Sequence, residues 1–143
     1  MADIPEEHLT EELLDRLLAS ASIEQYLDEG LVSARTLTDY LFDRMEAHDL
    51  RRADVVRASG LNATVVYDIF SGKSRPGRDH AIMLAFGLKC TLRETQRLLR
   101  LAGVSELWCK QRRDAIIIWC IRNGFDRIAT DDELYRMGRS EER

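Results

Sequence analysis

The chain is poor in residues that interrupt regular structure, with two Pro and eight Gly in 143 residues. That scarcity excludes a linker-rich or low-complexity protein. The three cysteines, Cys90, Cys109 and Cys120, are an odd number without C-x-x-C spacing, and are read as buried reduced thiols. His8, His48 and His80 are scattered and lack metal-ligand spacing, so no metal site is expected. No long hydrophobic run occurs: the longest, "AIIIWCI" (115–121), is far too short to cross a membrane. The opening "MADIPEEHLTEELL" is acidic and amphipathic, unlike a signal or transit peptide, and a cytoplasmic protein without membrane contact is expected. There is no glycine-rich phosphate loop, triad-like grouping or metal cluster, so neither catalysis nor a cofactor is expected.

Charge is present, and unevenly placed. The formal net charge is −4, which by itself speaks against nucleic acid. Residues 1–36 carry nine acidic and two basic residues, whereas residues 51–113 carry thirteen basic and five acidic. A basic middle between acidic ends is a local patch, and phosphate binding responds to the patch rather than to the whole-chain balance.

Periodicity predicts an all-α protein. "PEEHLTEELLDRLLAS" places Leu9, Leu13, Leu14, Leu17 and Leu18 on one helical face after Pro5. "SIEQYLDEG" offers Ser22 and Gln25 as a capping box and Gly30 as a stop. Further boxes, Thr36 with Asp39, Thr91 with Glu94 and Thr130 with Glu133, start later helices. "RRADVVRASG" is a short helix closed by Gly60, Asn62 caps "ATVVYDIFS", and "GKSRPG" (72–77) is a loop. "RDHAIMLAFGLK" follows as a strongly apolar helix. "RRDAIIIWCIRNG" has strand-like propensity but helical neighbours, and is read as a helix buried on nearly all sides. Three parts result: an acidic helical arm over 1–35, a central domain over 36–103, and a C-terminal helical extension over 104–143.

Two short helices, each ended by Gly and joined by "GLN", form the helix-turn-helix pattern. "LRRADVVRASGLNATVVYDIFSGKSRPG" resembles the helix-turn-helix domain of the XRE-type, phage-repressor-like regulators. Gly60 stands at that family's turn glycine. Leu50, Val55, Val56, Leu61, Val66 and Ile69 stand at its core positions, and "GKSRP" at its G-K-x-x-P exit from the reading helix. Residues 90–138, through "ETQRLLRLAGVSELW", "RRDAIIIWCIRNG" and "DELYRMG", resemble the tail of a branch of these regulators in Gram-positive bacteria. The resemblance implies a phage-repressor-like bundle binding double-stranded DNA. It implies phosphate contacts from Arg51 and Arg52 at the start of the second helix. The groove-facing positions would be Asn62, Ala63, Thr64, Tyr67 and Asp68, and the following loop would supply Lys73, Arg75 and Arg78 to phosphates.

The reading helix departs from the pattern. Asn62 spends its side chain as a cap, Ala63 and Thr64 offer only a methyl and a hydroxyl, and Asp68 repels phosphate though it can accept from cytosine. Affinity is then expected from Arg and Lys on phosphates, with specificity from a few groove contacts and DNA shape. Arg93, Arg97, Arg100, Lys110, Arg112 and Arg113 read as solvated helix faces, and Trp108 and Trp119 as core or interface. One such module reads a half-site, so a homodimer is expected, with the apolar "AIIIWCI" helix either its interface or part of a monomeric core. The second reading is an adaptor that uses this scaffold to bind a protein partner without DNA. The acidic arm would also be able to fold over the basic patch and compete with DNA.

Overall fold

The computed structural model describes residues 10–28 and 36–141, and every regular element among them is an α-helix. The chain divides into two compact units, Met1–Arg35 and Thr36–Arg143. Residues 104–143 thus share a unit with residues 36–103.

The first unit holds α1 (Thr10–Ala19) and α2 (Ile23–Asp28). Gln25 N donates to Ser22 Oγ at 3.1 Å, while its Oε1 accepts from Ala21 N at 3.0 Å. The return bond of the expected capping box therefore lands one residue early. Leu14, Leu17 and Leu18 are exposed, so the leucine face is not buried within this unit. The expected start near Pro5 and the stop at Gly30 lie outside the described residues.

The second unit contains α3 (Leu37–Ala47), α4 (Arg52–Ser59), α5 (Ala63–Phe70), α6 (Arg78–Gly87), α7 (Leu92–Leu101), α8 (Arg112–Arg122) and α9 (Arg127–Glu141). Helix starts follow local chemistry. Thr36 and Asp39 form a reciprocal capping box on α3, and Thr91 and Glu94 form one on α7. Asn62 Oδ1 accepts from Thr64 N at 2.8 Å and caps α5. α4 ends at Gly60, whose φ of +74° is left-handed.

The apolar α6 lies at the centre and contacts α4, α7 and α9. Its Ala81, Ile82, Leu84 and Ala85, with Leu88 at its C-cap, are buried with Leu41, Val55, Val66, Leu98 and Leu99 in one core. Close approach of α4 and α6 depends on Gly87: a Cβ there would stand 2.8 Å from Ser59 Cβ and 2.9 Å from the Val55 carbonyl oxygen. Phe70, at the end of α5, is buried and meets Phe42 edge to face at 5.2 Å.

A polar hub ties α3 to α7. Glu94 Oε1 accepts from Thr91 N at 2.9 Å and lies 3.1 Å from His48 Nε2, and its other oxygen pairs with Arg44. Burial pushes the Glu94 carboxyl up, but the Thr91 amide, His48 and Arg44 outweigh it and hold the group below its ordinary range.

Two expectations in the C-terminal part are corrected. α8 is not buried on all sides: Ile117 and Cys120 face the core, whereas Trp119 is 54% exposed and edge to face with Phe125 at 5.3 Å. The final helix begins at Arg127 rather than at Thr130. Asp126 Oδ1 accepts from Ala129 N at 2.8 Å and takes the cap, while Thr130 is buried and donates back to Asp126 O at 2.8 Å. The cysteines divide as well: Cys120 is buried and Cys90 partly so, but Cys109 is exposed.

Candidate nucleic-acid interface

The functional residues expected from the sequence gather around α4 and α5. The segment from Arg52 to Phe70 is two short helices joined by Gly60, Leu61 and Asn62. Leu61, Val66, Ile69 and Phe70 bury one side of that joint in the core. The opposite side presents Asn62, Ala63, Thr64 and Tyr67, all exposed, with Asp68 half-buried beside them. Because Asn62 Oδ1 is spent on the cap, its amide nitrogen is what remains for a partner.

Basic residues stand on two sides of this face. Arg51 and Arg52 are exposed at the start of α4. The Arg52 guanidinium lies over the Tyr67 ring, 5.1 Å from its centroid, which couples the start of α4 to the outer face of α5. On the other side Lys73 and Arg75 are exposed in the loop after α5. That loop is shaped by the Asp68 carbonyl, which accepts from Lys73 N at 2.9 Å and from Ser74 N at 3.2 Å. The Arg75 head lies by Gly103 at the end of α7, with Nη1 3.5 Å from the site a Cβ would occupy there.

Arg78 does not belong to this set, and its expected phosphate role is corrected. Its Nη2 donates to Asp114 Oδ2 at 2.6 Å and to Glu106 O at 3.0 Å; Nη1 donates to Asp114 Oδ1 at 3.1 Å and Nε to Ser105 O at 3.0 Å. Asp114 is 4% exposed and also accepts from Trp108 N at 3.0 Å. Burial pushes its carboxyl up, but Arg78 and the Trp108 amide outweigh that and hold it below the ordinary range. The guanidinium is a clasp between the start of α6 and the start of α8. The signal available in the sequence was Asp114 itself, a charge at the edge of an apolar run, where a buried acid requires a partner.

Of the other cations, Arg93, Arg100, Lys110, Arg112 and Arg113 are exposed and Arg97 is half-buried. Arg97 lies over the Tyr40 ring at 5.8 Å, Arg113 pairs with Asp79 at 3.3 Å, and Arg112 Nη2 donates to Met137 O at 3.3 Å. Arg127, on α9, was not singled out from the sequence. Its guanidinium packs on Gly60, with atoms 2.5 to 2.8 Å from where a Cβ would stand. Trp108, expected in the core or an interface, is 61% exposed in this chain. Among the described residues no helix is long and apolar enough to cross a membrane.

No protein-family model, curated protein or solved structure matches this chain.

Proposed function

We propose that this chain is a DNA-binding transcriptional regulator of the phage-repressor-like helix-turn-helix kind, with α5 entering the major groove. The observation that carries the reading is the exposed face of α5, flanked by Arg51 and Arg52 on one side and by Lys73 and Arg75 on the other. A short helix with basic groups at both flanks suits a groove between two phosphate backbones. The Arg52 guanidinium over the Tyr67 ring sets a cation beside a phenol at one edge of this face. Base recognition would be sparse, because the outer face carries a methyl, a hydroxyl, a phenol and a carboxylate and no Arg, Lys or Gln. Affinity then comes chiefly from phosphate contacts and selectivity from DNA shape. Two copies would read two half-sites. The partly exposed apolar surface of α8 and α9, with Ile116, Trp119 and Met137 along one groove, is the surface on which they would meet.

Anisotropy titrations of mixed-sequence duplexes against salt test this. Lys73→Ala with Arg75→Ala weakens binding and reduces the log–log salt slope by about 2. Absence of binding at low salt would refute the DNA reading. The same face of α5, with Ala63, Tyr67 and Asp68 and no Arg, Lys or Gln, supports the second reading, a protein-interaction adaptor on this scaffold. In that case the double variant leaves partner binding intact.

A further inference from the structure

A second site lies away from the exposed face of α5. A cleft of about 650 Å³ opens between the C-terminal ends of α4 and α6 and the connection from α8 to α9. That volume is in the range of small-molecule sites, about 300–1,000 Å³. One part of its wall is apolar, from Phe86, Ile121, Phe125 and Ile128. The other part is cationic, from Arg57, Lys89 and Arg127. The acid in the lining, Asp126, has one oxygen engaged as the cap of α9.

The cations differ in how they are held. Arg57 is paired with Asp54, and Arg127 Nη1 with Asp131 at 3.1 Å. Lys89 has no ion pair among the described residues. It also takes a φ of +57°, a conformation that favours Gly or Asn and gives Lys no advantage. Arg127 Nε is buried and has no hydrogen-bond partner among the described residues. An apolar wall beside the cations Arg57, Lys89 and Arg127 is complementary to an anion with an apolar body.

We propose that this cleft binds a small organic carboxylate with an apolar body, and that binding acts on the turn before α5 through Arg127. The lever is the contact already described: the head of Arg127 rests on Gly60, the left-handed residue of that turn. A carboxylate that draws Arg127 toward the cleft changes the packing on Gly60 and hence the entry of α5. The ligand site stands apart from the DNA reading. Only its regulatory meaning rests on that reading.

The test uses the full chain, indole-3-acetate as the probe, and indole-3-acetamide as its neutral isostere, followed by amide resonances. The acetate is expected to shift Phe86, Lys89 and Gly124 saturably, and with them Gly60 and Leu61; the acetamide is not. Lys89→Gly suits the backbone and keeps the fold, and should weaken acetate binding about tenfold. Equal binding of the two probes, or no saturable shift at the cleft with either, overturns the site. Shifts at the cleft without any at Gly60 and Leu61 overturn the coupling. No DNA is present, so failure here and failure of DNA binding are seen separately.

Discussion

Arg78→Ala should behave as a stability mutation, not as a DNA-contact mutation. The substitution leaves Asp114, 4% exposed, without its cation and removes the donor to the Ser105 and Glu106 carbonyls. Breaking a fully buried pair from one side costs about 3–5 kcal/mol. The Arg78 side chain is 28% exposed, and the Trp108 amide continues to serve Asp114, so about 2–3 kcal/mol is the reasonable range here. In a domain of roughly 100 residues that lowers Tm by on the order of 10–20 °C. Calorimetry on Arg78→Ala, Asp114→Ala and the paired Arg78→Met, Asp114→Leu variant checks the reasoning. Each single variant should lose about 2–3 kcal/mol, and the apolar pair should recover part of it. Asp114 has a folded-state pKa below its ordinary 3.8. Its contribution is therefore present above that value and is lost as pH falls through the lower folded one, so the gap between wild type and Arg78→Ala narrows in acid. An unchanged Tm for Arg78→Ala, together with a loss of DNA affinity matching that of Arg75→Ala, would refute the assignment and return Arg78 to the phosphate contacts.

Three further outcomes follow from the packing. Gly87→Ala gains helix propensity but drives a methyl against Ser59 and the Val55 carbonyl; a net loss of about 1–2 kcal/mol is expected by chemical denaturation. Glu94→Gln weakens the Arg44 and His48 contacts while keeping the shape. Because the Glu94 pKa is lowered from 4.5 on folding, wild-type stability falls as pH drops below that value, and the variant should show a flatter acid limb in Tm against pH. With a thiol reagent at mildly alkaline pH, exposed Cys109 should react first. Burial pushes Cys90 up to about 12 and raises Cys120 as well, so both should label more slowly than Cys109; labelling of Cys90 ahead of Cys109 would contradict this order.

The helices were legible in the sequence wherever a local bond defines them. Thr36, Asn62 and Thr91 each cap the helix that their spacing announced, because a cap involves only neighbours in the chain. Thr130 was misread for the same reason. Two local solutions compete there, and Asp126 wins since its carboxylate reaches Ala129 N and leaves Thr130 to be buried. What stayed hidden is non-local. Arg78 lies in a basic cluster that looked like a single patch, yet its partner is thirty-six residues away. Arg127 sits in an unremarkable acidic stretch, and only the folded chain brings it to Gly60. Phe70 is buried against a ring on α3, Phe42, that no local pattern reveals. Of the candidate interface, Arg51, Arg52, Asn62, Ala63, Thr64, Tyr67, Lys73 and Arg75 are exposed around the joint of α4 and α5.

The two hidden contacts bear on the same segment. Gly60 stands just before α5 and carries Arg127 from α9. Arg78 stands just after the loop that follows α5 and holds Asp114 of α8. The exposed helix is thus bracketed by contacts from the two C-terminal helices, and α6 adds a third link through its packing on α9. On the proposed reading, a second copy on α8 and α9 or a ligand in the cleft would act on the segments that flank α5, at Gly60 and at Arg78. This arrangement does not depend on the partner of α5. A helix that reads few bases and relies on its placement between phosphates is sensitive to small changes in position, and an adaptor helix inserted in a protein groove would be sensitive in the same way. The C-terminal helices thus contact the chain on either side of α5, at Gly60 and at Arg78.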